Sequence, residues 1–392
     1  MATISRGVRA PIIRRGDDIV KIAVDSVLSQ AEREGFSLHE RDVIAVTEAV
    51  VARADGNYAG VDDIAADVKA KLGGGHIGLV FPILSRNRFS ICLRGLARGA
   101  KKVTVMLSYP SDEVGNHLVD PDLLEGTGVN PWADTLTSDE FYALCGGECR
   151  HPFTGVDYIE LYRGIIEGEG AEAEIIFSNR PERILDHTSN VICCDIHTRA
   201  RTKARIERAG GRALTLCDIL NSPVNGSGCN PQYGLLGSNK ATEDTVKLFP
   251  KNAQEVAEGI RDEVLRRTGV HVEAMVYGDG AFKDPVGKIW ELADPVVSPG
   301  YTEGLLGLPN ELKLKFLADN DYADLSGEAL AESIRERIRK KDADLKGSML
   351  SQGTTPRMLT DLIGSLCDLT SGSGDKGTPI VLVQDYFVNY AD

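Results

Sequence analysis

The sequence predicts a mixed α/β protein, and three observations carry that reading. Short runs of β-branched and apolar residues, such as DVIAV at 42–46 and PIVLV at 379–383, read as strands. They alternate with longer stretches whose apolar residues recur every three or four positions, as helices require. Hydrophobic residues make up 42% of the chain and charged residues 26%, enough for real cores in a globular protein. A chain of 392 residues holds one large domain or two to three ordinary ones.

Taken in order, the first helix is IVKIAVDSVLSQAERE, with Asp17 or Asp18 as its natural N-cap. A strand follows from Asp42, and its continuation toward Gly56 turns helical. The helix DDIAADVKAKL then stops at Gly73 to Gly75. From about Gly75 to Leu216, five apolar runs read as strands: IGLVFPIL, KKVTVMLSY, AEIIFSN, NVICCDI and RALTLCDIL. RFSICLRGLARGA and TRARTKARIERAGG read as helices between them, which favours a partly parallel sheet. Pro110 to Phe153 reads as a long polar loop, with Trp132 either packing it down or forming a substrate wall. A second polar loop spans Asn221 to Asp244. Asn252 then caps a helix that Gly269 closes, and HVEAMVYGDG reads as a strand ending in an acid turn. The C-terminal part reads as two helices, a glycine-rich loop and a last strand. The sequence thus divides into 1–74, 75–216 and 217–392.

A formal net charge of −14 argues against a nucleic-acid or membrane-surface binder. No apolar run approaches the length of a membrane-spanning helix, and the N-terminal residues lack a signal-peptide core, so the expected location is the cytoplasm. Eight scattered cysteines suit reduced thiols better than a disulfide framework. Cys193 and Cys194 read as buried core, while Cys145, Cys149 and His151 fit zinc spacing only loosely.

Chemistry is concentrated in MVYGDGAFKDP. Asp279 lies between Gly278 and Gly280 at a strand's C-terminal end, and Asp284 follows within one short loop. Flanking glycines permit backbone conformations that side chains forbid and allow a bulky anion or hydrated metal to approach. The residues alone leave two readings open, a metal–phosphate site and an ordinary tight turn.

Four stretches together resemble the coenzyme F420-0:γ-glutamyl ligase family. They are RRGDDIVKIAVDSV with RDVIAVTEAVVARADG (Arg14 to Gly56), GLLGSN (Gly234 to Asn239), Phe249 to Phe282, and Leu359 to Tyr386. The resemblance implies a ligase-like α/β fold with 75–216 as an inserted α/β segment for acceptor recognition, and a homodimer. It implies GTP or ATP as co-substrate and Mg²⁺ or Mn²⁺ as cofactor. The expected reaction adds L-glutamate to a small-molecule carboxylate acceptor through an acyl phosphate. It points to Asp279 and Asp284 as catalytic acids, and to Asp279, Asn239 and Asp284 as metal ligands. It also points to Arg53, Ser238, Asn239 and Lys283 around the nucleotide phosphates. Four departures stand out: Leu236 replaces an expected metal-binding aspartate, Gly280 an expected hydroxyl residue after Asp279, Arg53 an expected lysine, and Glu48–Ala49 an amide and a lysine. A kinase or phosphohydrolase on the same site, or a non-catalytic nucleotide-binding homologue, are the alternatives.

Overall fold

The strand β2 (Val43–Thr47) has no strongly polar residue before its last position, as a strand covered on both faces requires. It lies inside a five-stranded sheet with β1 (Ile4–Val8), β12 (Glu273–Tyr277), β13 (Gly300–Tyr301) and β14 (Ile380–Gln384), in the order β1-β14-β2-β12-β13. Only the β2–β12 pair is parallel, with Thr47 opposite Tyr277. The other pairs in this sheet are antiparallel. Ile44 and Val46 pack with α1 (Ile19–Glu34) and α9 (Ala253–Thr268), while Val43 and Ala45 face α12 (Leu359–Ser371). Asp18 caps α1 by accepting from the Lys21 N–H at 3.0 Å, and Gly35 ends the helix at φ 71°. Asn252 stands at the N-cap of α9 but makes no capping hydrogen bond with its side chain. The computed structural model describes residues 2–147, 149–151, 154–280, 293–351, 357–371 and 374–392.

Each of the five apolar runs of the middle segment forms one strand of a second sheet. These are β4 (His76–Val80), β5 (Lys102–Leu107), β7 (Glu172–Phe177), β8 (Asn190–Cys193) and β9 (Arg212–Thr215). All five run parallel, and β6 (Leu136–Thr137) adds an antiparallel edge. The order β6-β7-β5-β4-β8-β9 makes this a doubly wound sheet whose winding reverses between β4 and β8. The helices α4 (Phe89–Arg98), α7 (Tyr158–Gly168) and α8 (Arg199–Arg208) supply the crossovers. Pro110 to Phe153, expected as a loop, carries α5 (Pro121–Leu124), β6 and α6 (Ser138–Leu144). A Thr137–Glu140 capping box starts α6, a local signal inside a segment whose composition reads as coil. Trp132 is 86% exposed, so it does not pin this excursion down.

A small third sheet, in the order β10 (Asn239–Lys240), β11 (Thr245–Lys247), β3 (Tyr58–Gly60), bridges the two large ones. Between β2 and β3 runs α2 (Glu48–Asp55), and after β3 comes α3 (Val61–Leu72). Near the C-terminus, α10 (Leu314–Asp319) and α11 (Gly327–Arg339) form a separate minor cluster around Leu317 and Ile334. Packing runs through positions 74/75 and 216/217: one core joins Ile64 and Val68 of α3 to Leu93 and Leu96 of α4 and to Leu235, Val246 and Phe249.

The α3–α4 contact depends on Gly95, where an added Cβ would lie 2.5 Å from the Ile64 Cβ. Gly95→Val should therefore cost about 1–3 kcal/mol by overpacking, read as a lowered urea midpoint with unchanged slope.

Candidate functional site

The parallel pair β2–β12 ends in acids on both strands. Glu48 follows Thr47 directly, and Asp279 follows Tyr277 after one glycine. A third acid, Asp294, is only 3% exposed and accepts the Asp279 N–H at 2.8 Å. From the doubly wound sheet, the segment after β4 brings Arg88 between these acids. Its guanidinium donates to Asp279 Oδ2 at 2.5 Å and to Asp294 Oδ1 at 2.6 Å. Glu48 is buried beside them and takes both its hydrogen bonds from Lys247 Nζ of β11, each 2.8 Å. On the far side, Asp368 of α12 accepts the Gly280 N–H at 2.9 Å.

Burial sets the electrostatics. It pushes the Glu48 carboxyl up against the pull of Lys247, and Asp294 adds to that push. Desolvation would lower the Arg88 pKa, but Asp294, Asp279 and Glu48 outweigh it and raise it overall. Burial likewise raises Asp368, opposed by the Gly280 N–H. The glycines have packing reasons as well as conformational ones. An added Cβ on Gly278 would lie 2.4 Å from Asp294 Oδ2, and one on Gly280 would lie 2.8 Å from the Ser365 Cα.

Other expected site residues lie around this cluster or apart from it. Ser238 is buried, its hydroxyl 3.2 Å from the Cys92 sulfur, and burial raises that thiol to about 11. Asn239 pairs across β10–β11 with Lys247, the residue that holds Glu48. Arg53 is exposed on α2. Asp284 and Lys283 lie outside the described residues. Leu236, in the place of an expected aspartate, is 2% exposed and lines a cavity of about 20 Å³ with Ile83, Arg88, Cys194 and Ile196. Sequence reasoning missed Arg88, Asp294, Lys247 and Asp368. The one signal available was that two strands of similar apolar character both run into acids.

The oxygens around Asp279 are largely committed to other partners. Both Asp294 oxygens are already used, one by Arg88 and one by the Asp279 N–H. Asp279 is paired with Arg88, and Leu236 offers no oxygen. Among the described residues, only His39, Asp42 and Asp385 bring three ligand-type groups together, at the other end of β2. Asp42 there is fully engaged by the His39 and Asp385 N–H groups and Gln384. The described residues around Asp279 therefore do not fit a divalent cation held by the protein alone. Cys145 and Cys149 have their sulfurs 2.8 Å apart, but His151 does not complete a three-ligand group with them. All eight cysteines are free thiols.

A second polar crevice opens where the doubly wound sheet reverses, at the C-terminal ends of β4 and β8. Asp112 is buried there and accepts the Leu84, Val114 and Asn116 N–H groups; burial raises it to about 6. Asp195, 1% exposed, is raised to about 6 by burial, against hydrogen bonds from Thr198 and Thr202. Among the described residues, no helix is long and apolar enough to cross a membrane.

A family model described as F420-0:Gamma-glutamyl ligase matches residues 7–385, nearly the whole chain and including the middle body. The chain belongs to this ligase family. Its mixed α/β fold agrees with that membership. No curated protein gives a significant match.

Two outcomes follow from the geometry. Asp294 is 1% exposed at its side chain and Asp279 29%, so removing Asp294 strips the more buried partner from Arg88. Asp294→Ala should cost about 3–5 kcal/mol and Asp279→Ala about 1 kcal/mol in urea unfolding. For Asp195 the folded state holds its proton more tightly than the unfolded chain. Below about pH 4 both states are protonated; as pH rises to about 6 the unfolded state ionises first and stability falls, by about 3 kcal/mol. Asp195→Asn should flatten that part of the stability–pH curve relative to the unmodified protein.

Proposed function

We propose that the chain is a nucleotide-dependent amide ligase that joins L-glutamate to a carboxylate on a small-molecule acceptor. The carrying observation is the family match over 7–385, met by an acid–arginine cluster at the carboxyl ends of β2 and β12. The acceptor carboxylate attacks the γ-phosphorus of GTP or ATP, giving an acyl phosphate and a nucleoside diphosphate. The neutral amine of glutamate then attacks the acyl carbon, inorganic phosphate leaves, and the amine loses a proton. A carboxylate oxygen is a poor leaving group, and phosphorylation is what makes amide formation possible in water.

Within this reading, Asp279 is the member of the cluster exposed enough to meet substrate. Asp294 is a positioning residue: it fixes the Asp279 backbone and one edge of the Arg88 guanidinium. Lys247 holds the buried Glu48 in place beneath them. Because Arg88 spans the acids, a divalent cation would arrive with the nucleotide as its Mg²⁺ or Mn²⁺ complex. Acceptor recognition is assigned to the middle body, on the support that its segment after β4 supplies Arg88.

The test supplies GTP or ATP with Mg²⁺ or Mn²⁺, L-glutamate and the deazaflavin acceptor F420-0. Mass spectrometry follows the glutamyl product, and nucleoside diphosphate is assayed alongside it. Asp279→Ala is expected to lower turnover at least ~100-fold. Diphosphate release without glutamyl product would instead support a phosphohydrolase, and nucleotide binding without turnover a non-catalytic homologue.

A further inference from the structure

The switch-point crevice carries an arrangement that the acid–arginine cluster does not use. Cys194 ends β8 by donating its N–H to the Val80 carbonyl, and Asp195 follows. Asp195 Oδ2 accepts from the Thr198 and Thr202 hydroxyls, each at 2.7 Å. Its Oδ1 is buried and has no hydrogen-bond partner among the described residues. Next come the N–H groups of Ile196, His197 and Thr198, in the turn that leads into the ten-residue helix α8, whose N-cap is Thr198. All three donate to one side chain, the carboxylate of Glu113, and the oxygen of the Thr198 hydroxyl, whose proton goes to Asp195, lies 3.2 Å from it. Glu113 comes from the segment after β5 and is itself exposed. The Arg199 guanidinium bonds the Ile196 carbonyl at the same mouth.

Each half of this mouth points to a chemical group. Successive backbone N–H groups that converge in a turn make an anion-binding concavity, and here an exposed carboxylate of the chain fills it. A buried carboxylate oxygen without a donor calls for a donor, and most such atoms in folded proteins have one. A ligand that satisfies both carries a carboxylate and an ammonium a few ångströms apart. A phosphate ester brings more negative charge toward Asp195 and offers it no cation. Ile196 and Arg88 line the same small cavity, so the mouth lies next to the ligase cluster.

We propose that this mouth is the amino-acid subsite: the substrate carboxylate takes the place held by Glu113, its ammonium faces Asp195 Oδ1, and Glu113 is a tethered competitor that the substrate displaces. The choice of L-glutamate rests on the ligase reading above; the zwitterion subsite rests on the residues alone. Glu113 and Asp195 repel one another across the mouth, and Glu113 contributes to holding the Asp195 proton. Exchanging Glu113 for a zwitterion replaces that repulsion with an ion pair.

The test is calorimetric titration of the full chain with L-glutamate and no nucleotide. A tethered competitor reduces apparent affinity by the fraction of molecules it occupies, so Glu113→Ala should bind L-glutamate about 10-fold more tightly than the unmodified protein. Glutarate, of the same length but without the amine, should bind Glu113→Ala at least ~10-fold more weakly than L-glutamate, and inorganic phosphate likewise. Adding Asp195→Asn should erase the preference for L-glutamate over glutarate. Asp195 is buried, so Thr198→Ala, at an exposed position, is the second variant and should weaken both ligands together. Equal affinity of Glu113→Ala and the unmodified protein would overturn the proposal. So would glutarate or phosphate binding as well as L-glutamate, which would leave an anion site only. Ligation that proceeds with an unchanged KM for glutamate in Glu113→Ala and Thr198→Ala would remove the subsite and leave the ligase reading standing. Glutamate binding as described, without any ligation, would do the reverse.

Discussion

One guanidinium shared between two carboxylates holds the working end of this molecule together. Arg88 belongs to the doubly wound sheet, and Asp279 and Asp294 to the five-stranded one, so the ion pairs cross between two bodies. A cation this deeply placed needs compensation on more than one side, and two acids supply it. The requirement propagates outward. Asp294 must sit against the backbone of the acid turn, which leaves no room for a side chain at Gly278. The turn must then bend toward α12, where Gly280 meets Ser365 and donates to Asp368. Glu48, at the end of the neighbouring strand, is answered from the small sheet by Lys247. Three sheets thus meet around one set of buried charges.

The same economy of charge appears at the reversal of the doubly wound sheet. Asp112 is wrapped in backbone N–H groups, and Glu113 beside it fills the start of α8. Adjacent residues of one segment therefore fix the loop after β4 and the loop after β8. Those two loops form one wall of the cavity that Arg88 and Leu236 complete. In a chain with a net charge of −14, Glu48, Asp294, Asp112 and Asp195 are buried at the two crevices, and of these only Asp195 keeps a buried oxygen without a partner among the described residues.

Local chemistry made most elements readable in advance. Asp18 caps α1 as an acid ahead of an apolar-periodic run should, and the run VIAV forms the strand that its β-branched residues favour. The five apolar runs of the middle segment each became a strand because β-branched residues recur there over lengths too short for a helix. Two-residue strands such as β6 and β10 left no pattern to read. The acid turn was readable as a turn, but the reason for its glycines was not, because Asp294 and Ser365 approach it from elsewhere in the chain. Arg88 was invisible for the same reason: 191 residues separate it from Asp279, and nothing in SRNRF marks it apart from other surface arginines. Leu236 read as a lost ligand; in the structure it is part of a core, a role that needs no oxygen.

The connectivity of the five-stranded sheet has a consequence for how the chain is made. β2 emerges early, yet its two neighbours, β12 and β14, lie more than 220 and 330 residues further on, and β14 also pairs with β1. The doubly wound body, whose strands all fall between His76 and Thr215, can pair them long before that. During synthesis, the apolar residues of β1, β2 and α1 must wait beside an already folded neighbour until the last residues leave the ribosome. Contacts this distant in sequence are slow to close and expose sticky surface meanwhile. The five-stranded sheet is therefore the late-assembling half of the protein, and loss of β14 would leave β1 and β2 without the strand that joins them.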